Sequence, residues 1–118
     1  FAQTPDQIPF EIKRIYHISQ AKSSLPRGFH AHYKTEQILF CIQGSVRMVL
    51  DDGKKREDVI LDKPGVGVFL DKLIWHEMHD LTKDAILLVL ASRFYEVEDY
   101  IRDYEEFLKI KKDGSKKD

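Results

Sequence analysis

Two histidines stand one residue apart in the stretch RGFHAH, as His30 and His32. On a β-strand that spacing sends both imidazoles to one face. Imidazole has an unperturbed pKa of about 6.5, so it takes up and returns a proton at neutral pH. It is also a common ligand for divalent metals. A third histidine, His76, lies in LIWHEM. Three readings follow. The rings hold a Zn²⁺, Fe²⁺ or Cu²⁺ ion, with His76 as third ligand. They work as acid and base on neighbouring carbons. Or they pack as core residues with satisfied nitrogens. Arg27, a fixed cation, sits just ahead of the pair.

The rest of the chain must place these rings. Its 118 residues allow one compact unit. Short β-rich runs recur between turn signals: 10–18, 29–33, 37–42, 45–50, 58–61, 68–70, 74–78 and 85–91. Asp51–Asp52–Gly53 is a hairpin signal, and Ser19–Gly28 reads as a polar loop. Eight or so such strands predict an antiparallel barrel or double-sheet jelly roll. In 10–18 the apolar residues fall on both faces, leaving open which side of Tyr16 is inside. From residue 96 the pattern changes: Val97, Tyr100, Ile101, Tyr104, Phe107 and Leu108 recur at helical spacing, predicting a helix over 96–112 and a disordered tail over 113–118. Strand 37–42 is apolar on both faces, with Leu39 and Cys41 on one and Ile38, Phe40 and Ile42 on the other. The second face predicts burial against another subunit, hence a homodimer formed through sheets.

Composition narrows the function classes. A formal net charge of −1 supplies no basic field for nucleic acid or an anionic membrane. No apolar run is long enough to span a bilayer. The single cysteine, Cys41, cannot form an internal disulfide and reads as a buried hydrophobe in a reducing compartment. The start, FAQTPDQIPF, lacks a signal-peptide pattern. A first residue of Phe rather than Met reads as a trimmed chain or a piece cut from a longer polypeptide.

The G-x-H-x-H run of 28–32, followed by a strand and Gly44, resembles the first motif of the cupin superfamily. Metal-binding cupins carry a glutamate ligand seven residues before that glycine, with six residues between them. Here the position holds Gln37, and Glu36 beside it belongs to the opposite strand face. The segments FEIKRIYHI, PRGFHAH, EQILFCIQGSVRMVLDDG, WHEM, AILLVLAS and RFYEVEDYIRDYEEF resemble, more narrowly, the sugar 3,4-ketoisomerases, across residues 9–108. The resemblance implies an all-β cupin (RmlC-like) jelly-roll barrel over 9–95 with a C-terminal helix. It implies a cytoplasmic, metal-free, cofactor-free homodimer that moves the keto group of dTDP-4-keto-6-deoxy-D-glucose from C4 to C3. It further implies a place in deoxyamino-sugar biosynthesis beside an aminotransferase and an acetyltransferase, the latter sometimes fused to the chain.

That reaction needs a base, an acid and a group that steadies an enediolate. His30 and His32 are the expected acid and base, with His32 the ring most exposed to the sugar. Arg27 is expected to neutralise the enediolate or grip the diphosphate. Gln37 is a candidate partner for a sugar hydroxyl. Tyr16 is a candidate hydroxyl donor, against a reading as packed core. Trp75 is a candidate to stack on thymine, against the same reading. His17 and His79 are expected near the surface. Competing functions are a metal-dependent cupin enzyme using His30, His32 and His76, a nucleotide-sugar epimerase, and a non-catalytic sugar-binding cupin.

Overall fold

The computed structural model describes residues 7–19 and 25–116, the side chains of 114–116 excepted. Among these described residues, nine strands form two antiparallel sheets. They are β1 (Arg14–Ser19), β2 (Arg27–His32), β3 (Gln37–Gln43), β4 (Val46–Asp51), β5 (Arg56–Leu61), β6 (Gly67–Leu70), β7 (Trp75–His79), β8 (Ile86–Ala91) and β9 (Tyr100–Ile101). One sheet runs β1-β8-β3-β6 and the other β5-β4-β7-β2-β9. This is the jelly roll that the strand spacing and the cupin resemblance predict. The Asp51–Asp52–Gly53 signal does form the β4–β5 hairpin: Asp51 Oδ1 accepts from Gly53 N, and Asp52 Oδ1 from Lys54 N and Lys55 N. The predicted loop 19–28 is shorter at its described end, because Arg27 and Gly28 already belong to β2. Its residues 20–24 lie outside the described residues, as do 1–6 and 117–118.

Side chains alternate across the sheets as the period-two pattern requires. Leu39, Cys41, Leu87 and Val89 of the first sheet meet Met48, Leu61 and Met78 of the second in the main core. Strand β1 settles the face that its sequence left open. Arg14, Tyr16 and Ile18 are partly buried, whereas Ile15, His17 and Ser19 are exposed. On the outer side of the first sheet, Ile38 and Leu90 are covered by Ile8, with Phe10, Ile12 and Phe40 packed around them. Part of the second apolar face of β3 is thus buried by the chain's own N-terminal segment.

The expected helix over 96–112 is corrected. Val97–Asp99 is a 3₁₀ turn, Tyr100–Ile101 is strand β9, and helix α1 spans Tyr104–Lys116. Asp103 fixes the true start, since its Oδ1 accepts from Glu105 N and Glu106 N. Residues 97–101 were drawn into the helical pattern by apolar spacing, but β2 offers them a free sheet edge: Ala31 pairs with Ile101 and His32 with Tyr100. The helix also continues past 112, into the segment expected to be a disordered tail. Its apolar face, through Tyr104, Phe107, Leu108 and Ile110, packs on Ala31, Trp75 and Ile101.

Candidate active site

Strand β2 does not run straight into its histidines. The register against β7 slips between Gly28 and His30, a β-bulge. Gly28 has φ 91° and Phe29 φ 58°. A left-handed conformation is uncommon for a bulky residue, and here it re-aims the strand just before the motif. His30 then lies opposite His76 of β7. The His30 ring centroid is 4.5 Å from that of His76 and 5.1 Å from that of His32.

The hydrogen bonds order these rings. His30 Nδ1–H donates to the Gly28 carbonyl at 3.1 Å. His30 Nε2 is therefore an acceptor. His76 has two acceptors to serve, the Ile74 carbonyl 3.3 Å from its Nδ1 and His30 Nε2 3.2 Å from its Nε2, and as a neutral ring it donates to one of them at a time. His32 Nε2 is buried with no hydrogen-bond partner among the described residues. A buried polar atom left so is uncommon and calls for a reason beyond packing.

Burial lowers the pKa of all three rings. For His30 that is the main cause, opposed by the bond to Gly28. His32 is lowered to about 4, by burial first and then by His30, with Asp99 opposing. His76, the most deeply buried, falls well below its ordinary value through burial and the other two rings. At neutral pH all three are uncharged and keep a lone pair, the form a base needs. The same shift ties stability to pH. The unfolded chain binds a proton at His32 near the ordinary value, whereas the folded chain does so only near pH 4. Stability is therefore full above the unfolded value and falls as pH drops from about 6.5 to about 4, by up to about 1.4 kcal/mol per pH unit per ring. Denaturant titrations across that range should show the decline, and His32→Gln should make it shallower.

A cavity of about 410 Å³ opens beside the rings, lined by Tyr16, Arg27, His30, Gln37, His76 and Tyr100 among others. Gln37 Nε2 donates to Tyr16 Oη at 2.9 Å, which leaves the phenolic proton of Tyr16 to donate elsewhere. Burial, followed by Tyr100, raises the Tyr16 pKa, so this phenol keeps its proton at neutral pH. Arg14, Arg27 and Arg102 also line the cavity. Three guanidiniums make it locally cationic on a chain of net charge −1.

Four of the six expected site residues, Arg27, His30, Gln37 and Tyr16, line one cavity. Of the two motif rings, His32 is the less exposed. It is 3% exposed, behind His30 and against Tyr100 at 4.5 Å, and His30 and His76 face the cavity instead. Trp75 lies elsewhere. Alternation along β7 puts His76 and Met78 inside and Trp75 on the other face, where its Nε1–H donates to Glu77 and its ring packs on Tyr104 and Phe107. His17 is exposed and His79 partly so, with His79 bonded to Glu77. Sequence reasoning missed Tyr100, Arg102, Arg14 and Tyr95 as cavity residues. The signal that could have freed Tyr100 and Arg102 from the predicted helix was Asp103-x-x-Glu106, a capping pattern that starts the helix later.

The nitrogens of His30, His32 and His76 lie within 4.8 Å of one another and could hold a divalent ion. Tetrahedral zinc, about 2.1 Å from each nitrogen, would space them about 3.4 Å apart, so the rings would have to close in. The position that would supply a carboxylate holds Gln37, and Glu36 instead pairs with Lys72 at 3.0 Å.

The FdtA family (WxcM-like, C-terminal) matches residues 1–112. The chain belongs to that family. This FdtA-family chain is 51% identical over 102 residues to the TDP-4-oxo-6-deoxy-alpha-D-glucose-3,4-oxoisomerase of Aneurinibacillus thermoaerophilus, covering 86% of the chain and 73% of the relative. It is similar to the crystal structure of a 3,4-ketoisomerase from Helicobacter canadensis, with TM-score 0.90 and 46% identity over 95% of this chain and 84% of the other. It is also similar to a histidine-to-asparagine mutant of the 3,4-ketoisomerase QdtA from Thermoanaerobacterium thermosaccharolyticum, solved in complex with TDP-4-keto-6-deoxyglucose. There the TM-score is 0.87, with 39% identity over 91% of this chain and 78% of the other. No helix among the described residues of the FdtA-family chain is long and apolar enough to cross a membrane.

Proposed function

We propose that this chain is a TDP-sugar 3,4-ketoisomerase, moving the carbonyl of TDP-4-keto-6-deoxyglucose from C4 to C3. The observation that carries the reading is a set of uncharged imidazoles, His30 and His76 facing an arginine-lined cavity beside a phenol donor and His32, with its unpartnered Nε2, packed against His30. The hydrogen on C3 is acidic because the carbanion left behind spreads onto the C4 oxygen. His30 and His32 divide the base and acid work. The base takes the C3 proton and the C4 oxygen becomes the enediolate oxyanion; a proton then passes from the C3 hydroxyl to that oxygen, and a proton delivered to the C4 carbon leaves a ketone at C3 and a hydroxyl at C4. The O–H of Tyr16, oriented by Gln37, donates to the oxyanion. Arg14, Arg27 and Arg102 offer bidentate partners to the diphosphate. The donor set needs no metal for this chemistry.

A 3-keto sugar is the kind of electrophile an aminotransferase consumes, with acetylation of the new amine to follow, so the reading extends to a cytoplasmic role in deoxyamino-sugar biosynthesis. A homodimer through sheets is supported by one row across the outer face of the first sheet: Ile15, Leu90, Ile38 and Phe69. At its two ends Ile15 is 62% and Phe69 42% exposed despite the cover from Ile8.

Incubation with TDP-4-keto-6-deoxyglucose in D₂O, followed by NMR, tests the reading. A product with its carbonyl at C3 is expected. An inverted carbon beside a ketone still at C4 would make the chain an epimerase, and affinity without any change in the sugar would make it a binding protein. Activity that vanishes with a chelator and returns with zinc or iron would favour the metal-dependent alternative.

A further inference from the structure

Asp99 is 7% exposed, and among the described residues no cation pairs with it. A buried carboxylate is costly unless hydrogen bonds replace its water. Its donors all come from the turn that directly follows His32. Lys34 N donates to Oδ1 at 2.7 Å, Thr35 N to Oδ2 at 3.2 Å, and Thr35 Oγ1 also to Oδ2. Tyr33 N donates to the Asp99 backbone carbonyl at 3.0 Å. Asp99 also directly precedes Tyr100, which pairs with His32 across β2 and β9. The Tyr100 ring lies 4.5 Å from that of His32 and 5.0 Å from that of His30, with the Arg102 guanidinium over it at 4.4 Å. One side chain therefore joins the two backbone segments that carry His32 and the aromatic ring against it.

We infer that Asp99 is a positioning residue for catalysis: its carboxylate fastens the turn after His32 to β9 and thereby sets the His32 imidazole against Tyr100. An amide would serve worse. Every group aimed at this carboxylate is a donor, and an asparagine would turn its NH₂ toward one of them. The inference rests on the assignment of His32 to the reaction. It predicts that loosening the clamp harms turnover more than substrate affinity, because the diphosphate partners belong to other residues. Misplacing a catalytic group by about 1 Å can cost about 100-fold in rate.

The test is steady-state kinetics with TDP-4-keto-6-deoxyglucose on Asp99→Asn, Thr35→Val and the double variant, with His32→Asn as control. NMR of histidine ring resonances is recorded on each. For Asp99→Asn, kcat should fall about 10–100-fold with KM within about 3-fold, and for Thr35→Val about 3–10-fold. The double variant should be no worse than about 2-fold below Asp99→Asn, because both act through one clamp. The His32 ring signals should move in each variant while those of exposed His17 stay. Unchanged kcat in Asp99→Asn, or unmoved His32 signals, overturns the inference. If Asp99→Asn does not fold, unchanged kcat in Thr35→Val does so. Full activity in His32→Asn would instead remove His32 from the reaction. An inactive His32→Asn beside a fully active Asp99→Asn would sink only the clamp.

Discussion

His32→Asn should lower kcat by at least about 1,000-fold, within the range removed when a general acid or base is lost. Affinity for TDP should stay within about 3-fold, because the residues offered to the diphosphate are Arg14, Arg27 and Arg102 rather than His32. Asparagine is polar, shorter and without a titratable nitrogen, so it can occupy the site of a 3% exposed ring without burying a charge. Its thermal unfolding should stay cooperative. The measurement is turnover by NMR beside TDP binding by calorimetry. Retained turnover would mean that the free Nε2 of His32 takes no proton in the reaction, leaving His30 and its bond to His76 to account for it.

Gly28→Ala should be nearly as damaging by a different route. At φ 91° a side chain is strained whatever the space around it, at a cost of about 1–2 kcal/mol. The added Cβ would also lie 3.1 Å from the His76 carbonyl oxygen and 3.3 Å from the Glu77 Cα. Both are backbone atoms of β7 and cannot swing aside, so β2 and β7 must part. Parting them separates His30 from His76 and tilts the carbonyl that holds the His30 proton. We expect about 2–4 kcal/mol of destabilisation and a kcat about 100-fold lower. Chemical denaturation and kinetics on the folded fraction would measure both. A variant with parental kcat would show that the bulge does not aim His30.

The strands were legible in sequence because each carries a period-two pattern bounded by turn residues, as with Asp51–Asp52–Gly53. The co-facial histidines were legible for the same reason. The bulge at Gly28–Phe29 was not. A single inserted residue leaves no mark in hydropathy, and Phe29 is an unexpected type for a left-handed backbone. Trp75 could not be placed from its type, since thymine and a helix offer an indole much the same apolar surface. Only the parity of β7, anchored by His76 inside, decides it. Tyr100 and Arg102 were hidden because a two-residue strand is too short to show a period, and its neighbours Val97 and Tyr104 happen to fall at helical spacing. The exposure of His30 over His32 depends on the Tyr100 ring, which the sequence placed in a helix.

The short strand β9 joins continuously to α1, with Arg102 and the cap Asp103 between them. Tyr104 of that helix is clamped to the hairpin at Asp51, which also holds Arg56. The same stretch that clads the outside of the second sheet thus supplies part of the reaction chamber's inner lining. Replacing this terminal module as one cassette would exchange cladding and lining together, and because the module carries Tyr100 against His30 and His32 it would retune the choice of sugar and the proton chemistry at one stroke.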